Sequence, residues 1–167
     1  MNTAAISIEP VQAEDWPVVQ VIYREGIATG NATFETRVPT WEAWDKSHIV
    51  NFRFVARIDG QIVGWAALSP VSSRTVYSGV AEVSVYVSEA VRGQGAGTAL
   101  LSALINESER EGFWTLQAGI FPENAASISM HLGCGFRQVG YRERLGQMNG
   151  VWRDVLLLER RSKVVGI

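Results

Sequence analysis

Residues Glu82-Val-Ser-Val-Tyr-Val-Ser-Glu-Ala-Val-Arg92-Gly-Gln-Gly95-Ala-Gly97-Thr98 decide the fold. An apolar strand with a polar leading residue runs into an Arg/Gly loop, and Gly97, Leu100, Leu101, Leu104 and Ile105 then mark one face of a helix reaching about Glu111. Glycines let a backbone approach a ligand closely and take positive φ. The helix that follows turns its unpaired N–H groups and the positive end of its dipole toward the loop. Such a junction suits an anion, above all a pyrophosphate. A P-loop requires a lysine beside its last glycine, and none lies near. The dinucleotide fingerprint read from Gly93 reaches Gly95 and then breaks at Thr98. Arg92-x-x-Gly95-x-Gly97 remains.

Working outward, Phe52 to Ile58 and Gln61 to Leu68 flank Asp59-Gly60, a two-residue turn suited to a type I′ hairpin. Ile6 to Pro10 reads as a first strand and Ala13 to Ile27 as a helix, with Pro17 tolerated in its first turn. Residues 28–39 form a loop, and Thr40 caps a short helix carrying Trp41 and Trp44. Pro70 to Gly79 is a polar loop before a strand over Val80 to Val87. Gly112 stops the long helix, and Thr115 to Phe121 is the next strand. Asn124 opens a helix bearing Ser127 and His131. Phe136 to Tyr141 and Val151 to Glu159 close the chain as strands joined by a loop with the turn Asn149-Gly150, leaving a mixed tail over 160–167 that is partly disordered on this reading.

The 167 residues, 47% hydrophobic, suffice for one domain with a buried core. A net charge of −2 argues against a nucleic-acid surface. One cysteine, Cys134, excludes an internal disulfide framework, and with only two histidines it offers no zinc spacing, so no metal is expected. No apolar run is long enough to span a membrane, and the N-terminus lacks the pattern of a signal peptide. A soluble, cytoplasmic protein is the expectation.

From Glu82 to Glu159 the chain resembles the phosphinothricin and methionine sulfoximine acetyltransferase branch of the GNAT N-acetyltransferases. The matching residues are Glu82 with Val85-Tyr86-Val87, the Arg/Gly loop, Asn124-Ala-Ala-Ser127-Ile-Ser-Met-His131, Gly135-Phe136 and Gly150-Val-Trp152-Arg-Asp154. The resemblance implies an α/β (α+β) GNAT fold, a mixed, mainly antiparallel sheet of about seven strands splayed between the fourth and fifth, with about four helices. It implies acetyl-CoA as co-substrate. Val85, Tyr86 and Val87 would meet the pantetheine arm, and Arg92, Gly93, Gln94, Gly95, Ala96, Gly97 and Thr98 the pyrophosphate. Asn124 and Ser127 would lie by the cofactor, with Asn124 also a possible cap of its own helix.

Acetyl transfer to an amine needs a base to free the nitrogen and a proton for the departing thiolate. Glu82 stands where this branch keeps the base; the other reading is a solvated carboxylate at the start of a strand. His131 stands where relatives often carry a tyrosine acid; the ring either donates that proton or packs in the core against a neighbour. Cys134 reads as a buried apolar thiol. The acceptor implied is a small glutamate-like toxin such as phosphinothricin, methionine sulfoximine or arsinothricin. Arg74 is the expected clamp for its acid group, helped by Ser72 and Ser73, although the same three residues also suit a mobile surface loop. Val83, Ser84, Phe34 and Trp152 complete the expected acceptor site, although Phe34 suits an ordinary hydrophobic role better, with Trp152 and Asp154 set near a homodimer interface. Acetylation of a protein N-terminus or polyamine, and a non-catalytic coenzyme A-binding module, are the competing readings.

Overall fold

The structure is a computed structural model and describes residues 4–167. In chain order the elements are β1 (Ile6–Pro10), α1 (Trp16–Ala28), α2 (Trp41–Ser47), β2 (Arg53–Ile58), β3 (Gln61–Pro70), β4 (Val80–Val87), α3 (Ala96–Arg110), β5 (Thr115–Ile120), α4 (Ala125–Gly133), β6 (Arg137–Met148) and β7 (Val151–Arg161). The strands make one sheet in the order β1-β2-β3-β4-β5-β7-β6. All neighbours are antiparallel except β4 and β5. The Asp59-Gly60 hairpin forms as expected, with both residues at positive φ (50° and 77°).

Side-chain alternation along the strands separates two cores. Ala66, Leu68, Ala81 and Val83 face α3 and meet Leu100, Leu101 and Leu104. Val55, Trp65 and Ala67 face the other way, against Val19, Ile22 and Tyr23 of α1 and Trp44 of α2. The sheet is thus the middle of three layers, and each strand residue can be assigned to the α1 face or the α3 face.

The parallel pair is short. Val80, Ala81 and Glu82 pair with Thr115, Leu116 and Gln117, and there the pairing ends. Both strands continue, β4 to Val87 along β3 and β5 to Ile120 along β7. Beyond Glu82 they diverge, leaving backbone groups on the β5 side of β4 unpaired within the sheet and opening a cleft through it.

Two expectations at the end of the chain need correction. The segment expected as a loop after Tyr141 is strand, and β6 runs to Met148. It escapes regular alternation because its register shifts twice and Arg144 takes φ 47°. The tail expected as partly disordered begins inside β7. From there the Arg161 guanidinium donates to the carbonyls of Trp114, Ser162, Val165 and Gly166, folding residues 162–166 back on the sheet.

Candidate active site

A cleft of about 890 Å³ fills the splay. Its walls are β4 from Glu82 to Val87, β5 from Gln117 to Ile120 with Phe121 after it, the loop and first turn of α3, α4 from its start to His131, the 29–34 loop, and Arg142, Leu145, Val155 and Leu157 of the β6–β7 hairpin. Strand register puts the two halves of this cleft on opposite faces. Glu82, Gln117, Gly119, Val155 and Leu157 lie on the α1 face, whereas Val83, Val85 and Val87 point toward α3. One molecule can therefore approach from the α3 side and a second from the α1 side, meeting where the strands part.

On the α3 side the loop matches the cofactor expectation. Gly93 and Gly95 have φ 80° and 93°, and a Cβ at Gly93 would meet nothing within 4 Å, so their conformation and not crowding requires glycine. Gly95 caps α3, whose first N–H groups face outward. Gly97 has a different reason: a Cβ there would sit 2.7 Å from Met130 Sδ, so this glycine lets α3 pack against α4. Arg92, Gly93, Gly95, Ala96, Gly97 and Thr98 line the cleft, and Gln94 does not. Unpaired β4 backbone, left-handed glycines and a helix start form a surface that fits a peptide-like arm ending in a pyrophosphate.

Glu82 sits at the vertex, the last residue of β4 paired to β5. Gln117 Nε2 donates to Glu82 Oε2 at 2.9 Å, fixing the carboxylate, while Oε1 has no protein partner among the described residues. An oriented carboxylate with one open oxygen at the meeting point of the two faces is suited to receive a proton from an amine. Gln117 was not singled out in the sequence, because only the parallel register brings it to Glu82.

His131 is 4% exposed and lines the α3 side of the cleft, its ring edge-on to Phe136. Nδ1 lies 2.7 Å from the Ser127 carbonyl oxygen. That oxygen can only accept, so Nδ1 carries the proton and Nε2 of the neutral ring carries none. Burial pushes the ring's pKa below its ordinary value, against a smaller upward pull from the Ser127 carbonyl. The Ser127 contact and the Phe136 packing fit a packed histidine, and a proton given to a thiolate would have to sit on Nε2.

Asn124 does cap α4, its Oδ1 accepting from Ser127 N at 3.2 Å. Its Nδ2 donates to Asn31 O at 3.1 Å, which ties the 29–34 loop to α4. Arg153 holds the same loop from β7, donating to Gly30 O, Asn31 Oδ1 and Glu123 Oε2 with its guanidinium 4.1 Å over the Phe121 ring. Phe34 meets Phe121 edge-on at 4.8 Å and lines the cleft as expected, with Val83 and Ser84. Tyr86 lines it too, but its ring stacks between Tyr23 and Trp65, and burial raises the pKa of its hydroxyl.

The other expected acceptor residues are not part of this cleft. Ser72, Ser73 and Arg74 lie on the exposed loop beyond the Pro70–Ala81 end of the β3–β4 ladder, away from the diverging end. Ser72 Oγ accepts from the Arg74 backbone N–H, and the Arg74 guanidinium lies 5.5 Å from the Tyr77 ring centre. Trp152 is 57% exposed on the hairpin. Asp154 accepts from the Tyr141 hydroxyl and from Arg144 N, locking the β6 irregularity. Cys134 is half-buried, against the α3-side core. Among the described residues no cluster could hold a metal ion.

A sheet split between a parallel pair, with a glycine loop and helix start on one face and an oriented carboxylate at the vertex, defines an acyl-CoA-dependent transferase. The comparisons agree. Residues 16–136 match the model of the Acetyltransferase (GNAT) family, and the chain belongs to that family. It is 31% identical to a phosphinothricin N-acetyltransferase of Alcaligenes faecalis over 163 residues, covering 93% of this chain and 82% of that one. It is also 31% identical to an L-methionine sulfoximine/L-methionine sulfone acetyltransferase of Pseudomonas aeruginosa, covering 92% of each. Among solved structures, a GNAT superfamily phosphinothricin acetyltransferase from Sinorhizobium meliloti in complex with acetyl-CoA superposes with a TM-score of 0.88 at 31% identity, covering 99% of this chain and 91% of that one. The protein is an acetyl-CoA-dependent N-acetyltransferase.

Proposed function

We propose that the enzyme acetylates the α-amino group of a small glutamate-like toxin, phosphinothricin, methionine sulfoximine or arsinothricin, and thereby confers resistance to it in the cytoplasm. The observation that carries this reading is the Glu82 carboxylate, held by Gln117 at the vertex with one oxygen open to the α1 face. The amine approaches from that face and loses its proton to Glu82, directly or through water. Acetyl-CoA, lying along β4 with its pyrophosphate on Gly93 to Thr98, supplies the activated acetyl group. The unpaired β4 backbone offers an N–H to polarise the thioester carbonyl. Phe34, Phe121, Val155 and Leu157 restrict the acceptor pocket to a compact molecule and exclude water from the reacting atoms.

A homodimer belongs to the same reading. Among its supports are Leu145, Val151 and Trp152, exposed where the β6–β7 hairpin runs past the last β5 pair, Ile120 with Leu156. An acetyl-CoA consumption assay with these amino acids, a polyamine and an N-terminal peptide tests the acceptor. Turnover of the toxins above the rest is expected, and preference for the polyamine or peptide would refute it. Light scattering of wild type and Trp152→Glu tests the dimer.

A further inference from the structure

We infer that Arg142 is the specificity-determining residue of the acceptor pocket, and that it selects α-amino acids whose side chain ends in an anionic oxyacid group. This rests on the acceptor reading above and narrows it. Arg142 is on β6 opposite Val155, so its side chain shares the α1 face with Val155, Leu157 and Glu82, and it lines the cleft. Each of the other cations near the site has an assignment. Arg92 borders the glycine loop on the cofactor side, and Arg153 is spent on the 29–34 loop and Glu123. The Arg142 guanidinium makes no hydrogen bond or ion pair among the described residues, so a residue that lines the cleft keeps five donors without a protein acceptor.

Position decides which acid group it takes. Glu82 is level with Gln117 and Glu159, whereas Arg142 is level with Val155, four residues further along β7 toward the mouth. At strand geometry that offset is ~13 Å along the strands, and the three strand steps from β4 to β6 add ~14 Å across them. Even with both side chains reaching inward, the two sites mark opposite ends of a small extended molecule. An α-carboxylate shares a carbon with the amine and must stay beside Glu82. The anion at Arg142 is therefore the distal one. A phosphinate or carboxylate there matches the guanidinium fork, whereas a neutral sulfone offers only uncharged oxygens.

The test compares phosphinothricin, distally anionic, with methionine sulfone, distally neutral, using wild type, Arg142→Gln and Arg142→Lys. All three should melt alike, since residue 142 is exposed on an edge strand. The expectation is that Arg142→Gln lowers kcat/KM for phosphinothricin roughly 10- to 150-fold, with a far smaller change for methionine sulfone and an unchanged KM for acetyl-CoA. Lysine should restore part of the loss. Equal losses on both acceptors, or none on phosphinothricin, would overturn the assignment while leaving the acceptor class standing. A wild type that turns over neither amino acid would overturn the acceptor class and this assignment with it.

Discussion

Replacing Glu82 by glutamine tests the chemistry with little structural disturbance. Glutamine has the same shape, and its carbonyl oxygen can still accept from Gln117 Nε2 at the 2.9 Å separation seen for the carboxylate, so the vertex should hold its geometry. What is lost is the capacity to take a proton. A positioned base typically contributes 10²- to 10⁴-fold. At about 1.36 kcal/mol per decade that is roughly 2.7 to 5.4 kcal/mol of barrier. Steady-state kinetics should show the loss in kcat/KM for the acceptor with the KM for acetyl-CoA unchanged, because the glycine loop lies on the other face. Raising pH supplies free amine without help, so the variant's rate should climb about tenfold per pH unit below the amine's pKa while the wild type flattens. Gln117→Leu should lose less, about tenfold, because it removes a hydrogen bond to a charged group and leaves the base. The double variant Glu82→Gln/Gln117→Leu should be no worse than Glu82→Gln alone, since the donor acts through the carboxylate. Near-wild-type turnover by a folded Glu82→Gln at neutral pH would refute the assignment of the base, and additive losses would refute the coupling.

Gly95→Ala forces a side chain into φ 93° and should cost about 1–2 kcal/mol of stability with weaker acetyl-CoA binding in calorimetry, whereas the Gly97→Ala defect should be relieved by Met130→Ala, which removes the sulfur it strikes. Arg153→Met frees the 29–34 loop and should raise the acceptor KM more than it changes the KM for acetyl-CoA, as separate titrations of the two substrates would show. Burial depresses the pKa of both His131 and His48 in the folded state, so the unfolded chain binds protons first as pH falls. Their contribution is complete above an unfolded pKa of about 6.5 and is lost progressively below it, so the melting temperature should drop between pH 7 and pH 5, less steeply in His131→Asn. Arg74→Ala, on an exposed loop outside the cleft, should change kcat/KM about twofold at most in the same assay.

How much the sequence disclosed depends on how far apart in the chain each feature's parts lie. The glycine loop and α3 were legible because their physics is local: left-handed glycines, a helix start and an apolar helical face occupy consecutive residues. The hairpin at Asp59-Gly60 was legible for the same reason. Glu82 was visible only through its resemblance to relatives, since nothing local marks a strand carboxylate as a base. What orients it is Gln117, 35 residues later, brought alongside by three pairs of parallel register. The acceptor pocket is more distributed still. The 29–34 loop, Phe121, Arg153 and Arg142 come from four parts of the chain, and β7, inserted between β5 and β6, brings its hairpin beside the cleft. Arg74, the clamp that the resemblance implies, lies on a polar loop outside the lining of this cleft. Arg142, which lines the cleft, sits in a segment whose shifted register and left-handed Arg144 made it look like a loop. The same irregularity is held by Asp154, which takes the Tyr141 hydroxyl and Arg144 N on either side of Arg142. Disorder in the hydrophobic pattern of β6 thus follows from its shifted register and the left-handed Arg144, and it hid from periodicity the arginine we propose to read the acceptor's distal group.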